Sequence, residues 1–316
     1  MKITRGLVTH QRAPHPVLTI GNFDGQHLGH RALLREVVAR ASAVGGTPVV
    51  LTFDPHPVKV LAPHVNLRFL ITPEEKLAHF REAGIAEMLF LEFTPSFAAL
   101  TPDQFMQQVL RDGVGVKDLF VGEHFAFGKG RAGRTNDLVR FGREAGYQVH
   151  PVQPLRVDGE VVSSTRIRQL IQGGEVRGAA RCLGRCYALG GEVVPGEHRG
   201  QTLGWPTANL RLPADRVIPA DGVYATKTFW GTRACDSVSY IGTRPTFGAG
   251  ERLLEVSLLD VREELYGQTL RVEFVERLRG DQVFGSAEEL SACIERDVQR
   301  AREALKVEPQ PVTGSR

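Results

Sequence analysis

The sequence has few cysteines and no long apolar run, and both absences narrow the class of protein. The four cysteines form no CxxC pair and share no metal-site spacing with histidines; they are Cys182, Cys186, Cys235 and Cys293. Free thiols in a reducing compartment are therefore expected, rather than zinc binding or disulfides. No apolar stretch approaches the length of a membrane span, and residues 1–16 lack the apolar core of a signal peptide. We expect a cytoplasmic protein.

Excess charge of one sign is also missing. The 316 residues carry a net charge of +3, with 24% charged and 42% hydrophobic residues. This mild balance predicts neither a nucleic-acid surface nor a membrane surface, although it would not repel small anions. Internal repeats and low-complexity segments are absent too. The length is sufficient for two ordinary domains, each with its own hydrophobic core.

The first half of the chain alternates short apolar runs with amphipathic stretches. The runs predict five strands, at residues 17–20, 49–53, 88–93, 118–121 and 147–152. Several are apolar at consecutive positions, which is typical of strands buried on both faces of a parallel sheet. Thr72 and Thr101 each precede a proline and, three residues on, a Glu or Gln, which predicts capped helix starts. The alternation predicts a doubly wound α/β domain of Rossmann type.

The pattern changes after residue 174. A short helix at 176–183 is followed by β segments at 222–230, 234–242, 252–260 and 269–279, joined by turn residues. Ser286 opens a capping box before a last amphipathic helix. We therefore predict a small antiparallel β-barrel with a C-terminal helix. The predicted domains are residues 1–183 and 184–306, with a flexible tail at 307–316.

One stretch, residues 18–34, joins a predicted strand, a glycine-rich turn and a helix start. His27 and His30 lie three residues apart and so share one face of the helix. A helix N-terminus favours phosphate, and ligands of such folds bind beyond the carboxyl ends of strands. A pair of surface histidines or half of a metal site would give the same spacing. The candidate phosphate-binding residues beside the histidines are Gly21, Asn22, Phe23, Asp24 and Gly29.

Two further segments of the first half carry groups that suit an anion or a ligand. Ser163, Ser164 and Thr165 stand at a predicted helix start, where hydroxyl and N–H groups could converge on phosphate, with Arg166 and Arg168 adding charge. By itself, an ordinary N-cap is the better explanation of the serine pattern. His56 lies between two prolines directly after a strand, in a rigid turn that either faces a ligand or only shapes the loop.

The loop at residues 122–133 is rich in glycine and contains Phe125, Phe127, Lys129 and Arg131. We predict a flexible basic lid over a nucleotide, with these four residues as candidates for contact with its ligand. Residues 128–135 nearly match a P-loop, but Arg134 replaces the lysine whose compact ammonium such a loop needs. We therefore interpret the match to the P-loop pattern as coincidental.

The second half offers oxygen ligands and one carboxylate. Thr207 and Asn209 would lie on the same face of an extended segment, and both are ligands that suit Mg²⁺ shared with substrate phosphates. An ordinary loop would contain the same residues. Glu255 lies within an apolar strand, where it either faces solvent or serves as a base in a pocket.

The motifs occur in order across residues 21–297: GNFDGQHLGH, TFDPHP, VGEHFAFGKGRAG, SSTRIR, GQTLGWPTAN, GTRPTF, and LLEVSLLD followed by LYG. Any one of them is moderately specific, whereas the ordered set is highly specific. This set resembles the prokaryotic bifunctional riboflavin kinase/FAD synthetase family.

The resemblance implies that the first domain is an adenylyltransferase of the HxGH nucleotidyltransferase superfamily. It would convert ATP and FMN to FAD and pyrophosphate, with the FMN phosphate itself as the nucleophile. His27 and His30 would stabilise the α-phosphate and the departing pyrophosphate. Ser164, Thr165 and Arg166 match the segment of the family that binds the triphosphate.

The resemblance also implies that the barrel is a riboflavin kinase, which moves the γ-phosphoryl group of ATP to the 5′-hydroxyl of riboflavin. Thr207 and Asn209 match the element that holds Mg²⁺ and ATP phosphate, and Gly200 and Gly204 belong to the preceding ATP loop. Glu255 matches the proposed general base. The expected ligands are riboflavin, FMN, ATP and Mg²⁺, without nucleic-acid or membrane partners and with self-association left open.

The sequence departs from the family pattern at Gln26, His124, Gln201 and Ser257, none of which is assigned to the chemistry. Two other hypotheses predict different features. A different HxGH nucleotidyltransferase or a relative of class I tRNA synthetases would bring a KMSKS-like lysine loop and a larger basic surface. A nucleotide-binding regulator would have lost catalytic residues, whereas all those assigned above are present.

Overall fold

The computed structural model of the chain describes residues 1–7, 11–195, 205–243, 252–261, 263 and 265–306. The chain folds into two compact units. The first comprises Met1–Leu67 and Ile71–Val162, and the second comprises Arg68–Leu70 and Ser163–Thr313. Each unit is described by itself below.

The first unit is built on a six-stranded parallel sheet. Its strands are β1 (Lys2–Arg5), β2 (Pro16–Ile20), β3 (Thr47–Asp54), β4 (Glu87–Glu92), β5 (Asp118–Gly122) and β8 (Gln148–Val152). Short strands pair β6 (Ala126–Phe127) with β7 (Gly133–Arg134) and β9 (Arg156–Val157) with β10 (Glu160–Val161). The α-helices are α1 (Leu28–Val44), α2 (Pro57–Leu61), α3 (Pro73–Glu82), α4 (Pro95–Ala98), α5 (Pro102–Gln104) and α6 (Thr135–Ala145). A π-helical segment, Phe105–Val114, continues α5, and a 3₁₀ turn covers Lys129–Arg131.

The predicted doubly wound α/β fold is confirmed. The five predicted strands are β2, β3, β4, β5 and β8, and they run parallel. Consecutive apolar residues point to opposite faces, so that Leu18 and Val17 enter two separate hydrophobic clusters. Both predicted capping boxes are formed, at Thr72 and at Thr101.

The strand order, β1-β4-β3-β2-β5-β8, changes direction at β2. The chain passes from β2 to β3 and β4 on one side and then returns to place β5 on the other side of β2. Such a switch point leaves a crevice beyond the carboxyl end of the strand, where ligands of open α/β sheets bind. The turn that follows Ile20 lies at this crevice, and the Gly21 N–H donates to the carbonyl of Leu51 at 3.1 Å.

The second unit is a closed antiparallel barrel, as predicted. It begins with α7 (Ser164–Gln172) and α8 (Val176–Leu183), which lead into β11 (Tyr187–Val194), β12 (Ala208–Arg211), β13 (Gly222–Trp230), β14 (Arg233–Thr243), β15 (Arg252–Leu258) and β16 (Thr269–Arg279). The barrel closes in the order β11-β12-β15-β14-β13-β16. Inside it, Thr226 exchanges hydrogen bonds with Ser237 and Ser239 at 2.7 and 2.8 Å.

The C-terminal helix α9 (Ala287–Lys306) covers the outer face of the barrel. Its Ala301 and Leu305 pack with Val223 of β13 in one hydrophobic cluster. The Arg279 guanidinium of β16 donates to the Asp297 carboxylate at 2.9 Å, which fixes the helix to the wall. Within the described ranges, no helix combines the length and apolar character needed to cross a membrane.

Candidate active sites

The two histidines of the HxGH motif form a stacked pair at the start of α1. His27 is the N-cap residue, and its Nδ1 accepts a hydrogen bond from the backbone N–H of His30 at 3.3 Å. The two imidazole rings stack with centroids 3.7 Å apart and an interplanar angle of 16°. Among the described residues no group bonds the buried Nδ1 of His30. The cap therefore orients the His27 ring, and the stack orients the His30 ring against it.

The glycine between the histidines leaves room for the His27 ring. A Cβ at Gly29 would lie 3.2 Å from both Cε1 and Nδ1 of the His27 ring. A side chain at this position would therefore require the His27 ring to shift by a few tenths of an ångström from the position in which it caps the helix.

The His30 ring is held in a neutral state. Burial, followed by the nearby His27 and Lys76, lowers the pKa of the His30 imidazole well below its ordinary value. Burial also lowers the pKa of the Lys76 ammonium, while Asp24 and Asp54 oppose that change. A neutral imidazole can donate an N–H to a phosphate oxygen, and an arriving anion would favour its protonation.

The turn between β2 and α1 brings the remaining predicted residues of this motif against the histidines. The Phe23 ring packs against His30 with centroids 5.1 Å apart and meets Phe80 of α3 edge-on. Asp24 is buried. The Asn22 side-chain oxygen is buried, and none of the described residues bonds it. The structure thus brings together Gly21–Asp24, His27, Gly29 and His30.

The other candidates of the first unit have more varied surroundings. His56 is the N-cap of α2, and its Nδ1 accepts from the Val58 N–H at 3.2 Å. Phe127 is buried in the core, while the half-buried Phe125 stacks against it with centroids 5.9 Å apart. Lys129 and Arg131 lie exposed in the 3₁₀ turn.

The predicted helix start at Ser163 is present. Its hydroxyl accepts from the Arg166 N–H at 3.2 Å and caps α7. Ser164, Thr165 and Arg166 therefore form the first turn of a nine-residue helix. This helix belongs to the second compact unit.

In the barrel, strand pairing brings Asn209 and Glu255 side by side. Asn209 of β12 lies directly opposite Glu255 of β15, so their side chains share one face of the wall. Both are buried, with exposed fractions of 7% and 8%. Thr207 comes just before β12 and is half-buried. Gly200 and Gly204 lie outside the described residues.

Tyr240 completes this row on the other side of Glu255. It lies opposite Glu255 in the pairing of β14 with β15, and its hydroxyl donates to the Asp281 carboxylate at 3.1 Å. Burial, the Asp281 carboxylate and the Glu255 charge raise the pKa of Tyr240 to about 12. Gly242 provides the space for this ring, because a Cβ there would overlap the phenol.

Sequence reasoning missed Lys76 and Tyr240. Lys76 lies one helical turn before the buried Phe80, so the period of α3 places it on the core-facing side. This position in the helical period could have indicated that Lys76 faces the site. The sequence indicates the place of Tyr240 less clearly, since only the strand register shows that it neighbours Glu255.

The parallel sheet carries a histidine pair beyond its switch point, and the same chain contains a barrel with a buried Asn–Glu pair. Together these features define a two-domain enzyme of nucleotide chemistry. A family model described as FAD synthetase matches residues 9–166, and another described as riboflavin kinase matches residues 183–305. The chain belongs to the family of bifunctional riboflavin kinase/FMN adenylyltransferases.

Individual relatives agree over nearly the whole chain. The bifunctional riboflavin kinase/FMN adenylyltransferase of Escherichia coli K12 is 39% identical over 306 residues, covering 96% of this chain and 97% of the relative. The enzyme of the same description from Pseudomonas fluorescens is 37% identical over 312 residues, with coverages of 96% and 97%. A crystal structure described as a macrolide-efflux protein from Streptococcus pneumoniae has a TM-score of 0.87 at 29% identity, covering 96% of this chain and 99% of that one.

Proposed function

We propose that this chain makes FAD from riboflavin in two ATP-dependent steps. The barrel transfers the γ-phosphoryl group of ATP to the 5′-hydroxyl of riboflavin, which gives FMN and ADP. The α/β domain then joins FMN to the adenylyl group of a second ATP. An FMN phosphate oxygen bonds to the α-phosphorus, the α–β anhydride bond breaks, and pyrophosphate leaves. Two observations support the proposal: the stacked pair of His27 and His30 at a helix start, and the pairing of the buried Asn209 and Glu255 in the barrel.

For adenylyl transfer, the protein supplies position and charge stabilisation, and no protein nucleophile is needed. His27 and His30 donate hydrogen bonds to oxygens of the α-phosphate and the departing pyrophosphate. Their rings are already fixed by the cap and the stack, so little reorganisation accompanies the reaction. The turn Gly21–Asp24 cradles the nucleotide, and we assign Ser164, Thr165 and Arg166 to triphosphate binding from the match to the family motif.

The lid residues have a different proposed role in this step. Phe125, half-buried and stacked on Phe127, offers an aromatic edge for the flavin ring, and His56 borders the same carboxyl edge of the sheet. The exposed Lys129 and Arg131 can fold over phosphate groups.

For the kinase step, Glu255 is the proposed general base. Its carboxylate accepts the proton of the riboflavin hydroxyl as that oxygen bonds to the γ-phosphorus. Thr207 and Asn209 hold the phosphate end of ATP, together with Gly200 and Gly204 of the loop before them. Asn209 lies opposite Glu255 across the strands, and this pairing supports the assignment of both residues to one site.

The donor set fits a magnesium ion shared with ATP. Asn209 and Thr207 offer an amide oxygen and a hydroxyl, and Mg²⁺ in such sites takes few protein ligands besides substrate phosphates. When bound, the ion neutralises phosphate charge.

The proposed functional domains are residues 1–183 and 184–306. The four free cysteines suit a reducing cytoplasm, where we place both steps.

The proposal is tested by incubating the protein with riboflavin, ATP and Mg²⁺ and separating the flavins chromatographically. We expect FMN to appear first and FAD to follow. Omission of ATP should stop both products, and supplied FMN should yield FAD without riboflavin. Failure to form either product contradicts the proposal, and FMN without FAD contradicts the adenylyltransferase half.

A further inference from the structure

Lys76 connects α3 to the turn that carries the histidines. Its ammonium Nζ donates to the backbone carbonyl of Asn22 at 2.9 Å. In return, the side-chain amide of Gln26 donates to the backbone carbonyl of Lys76 at 3.1 Å. The helix and the turn therefore hold each other through two hydrogen bonds that run in opposite directions.

The turn that Lys76 holds is one that needs support. Phe23 and Gln26 have positive φ angles of 51° and 37°, a backbone region that non-glycine residues rarely adopt. Such conformations persist where the surrounding structure over-determines them, and they cluster at functional sites. Phe23 also carries the ring against which His30 packs. Movement of this turn would therefore reach the catalytic imidazole directly.

Lys76 also adds a positive charge near His30. Burial lowers the pKa of the His30 imidazole most, and His27 and Lys76 lower it further, whereas the Asp24 and Asp54 charges raise the pKa of the Lys76 ammonium against the effect of its own burial. Removing the charge of the ammonium would remove one of the influences that lower the His30 pKa.

We propose that Lys76 is a positioning residue of the adenylyltransferase site, which fixes the turn at Asn22 through its hydrogen bond and places a positive charge at that turn. This inference rests on the proposed adenylyl transfer. It assigns the lysine two separable actions, a hydrogen bond and a charge. Glutamine at this position would keep a donor and lose the charge, and arginine would keep the charge and change the hydrogen-bond geometry.

The test follows the His30 imidazole by NMR in the full chain during a pH titration, with the signal assigned by its loss in His30→Gln. We expect Lys76→Gln to move the His30 titration to higher pH and Lys76→Arg to leave it near that of the wild type. Lys117→Met, which changes an exposed lysine of the same unit, is the matched control. FAD formation from FMN should fall about 10- to 100-fold in Lys76→Gln, mainly in kcat, because misplacing a reacting group costs up to about 100-fold. FMN formation from riboflavin should be unchanged.

An unchanged His30 titration in Lys76→Gln would overturn the inference, as would a loss confined to the KM for ATP. Equal loss of FMN formation would also overturn it, because it would indicate damage to the fold rather than to this site. The titration requires no turnover, so it gives its answer even where the wild-type chain forms no FAD. That absence would instead count against the proposed function.

Discussion

Replacing Gly29 with alanine tests whether the stacking of the two histidines matters for adenylyl transfer. The new Cβ would lie 3.2 Å from two atoms of the His27 ring, so the ring must shift by a few tenths of an ångström. Because the His27 Nδ1 caps the His30 N–H, the shift weakens the cap and displaces the stack together.

The expected effect on stability is small, since two contributions oppose each other. Alanine stabilises a helix by about 1 kcal/mol relative to glycine. Weakening an N-cap costs about 1 kcal/mol. The free energy of unfolding should therefore stay within about 1 kcal/mol of the wild type. Adenylyl transfer should nevertheless fall about 10-fold, because a misplacement of about 1 Å costs about 100-fold and this one is smaller.

The assay compares kcat for FAD formation from FMN with kcat for FMN formation from riboflavin, alongside urea unfolding. Ser42→Ala is a matched control, because it adds helix propensity at an exposed position near the other end of α1. It should leave both rates unchanged. Wild-type FAD formation in Gly29→Ala would refute the role given to the stacked pair, and so would an equal loss of FMN formation.

Three further predictions concern charge, stability and metal dependence. The folded protein lowers the His30 pKa, so the unfolded chain takes up the proton first as pH falls below about 6.5. The free energy of unfolding should therefore decline as the pH falls through this range, and His30→Gln should make that decline less steep. An unchanged pH dependence in His30→Gln would contradict the lowered pKa assigned to His30. The Asp118 carboxylate accepts hydrogen bonds from His15, Arg40 and His150 at 2.7–2.9 Å. Asp118→Asn should therefore lower the free energy of unfolding in urea by about 2 kcal/mol. An unchanged free energy of unfolding would refute this stabilising role of Asp118. Asn209→Ala should raise the Mg²⁺ concentration needed for FMN formation but not for FAD formation, and equal shifts would contradict it.

The parallel sheet was predictable because its strands are buried on both faces and so read as consecutive apolar residues. β1 lacked that signal, since Lys2, Ile3 and Arg5 are exposed at the edge of the sheet. The capping boxes at Thr72 and Thr101 were also local enough to predict, because each lies within four consecutive residues.

The chemistry of the sites depends on contacts that no local pattern contains. The spacing of His27 and His30 predicted a shared face, but not that the rings stack. Nor did it predict that burial, His27 and Lys76 lower the pKa of His30. The alternation of apolar and polar residues along β15 could not show which way Glu255 faces. Only the pairing register of β12 with β15 shows that Asn209 is its neighbour. Long-range pairing therefore supplied what the motifs left open.

The central claim, that one chain carries two separate activities, is tested most directly by the products of two variants supplied with riboflavin, ATP and Mg²⁺. His30→Ala should accumulate FMN and form no FAD. Glu255→Gln should form neither product from riboflavin but should convert supplied FMN to FAD at the wild-type rate. Loss of both activities in either variant, or FAD formation by His30→Ala, would contradict the account.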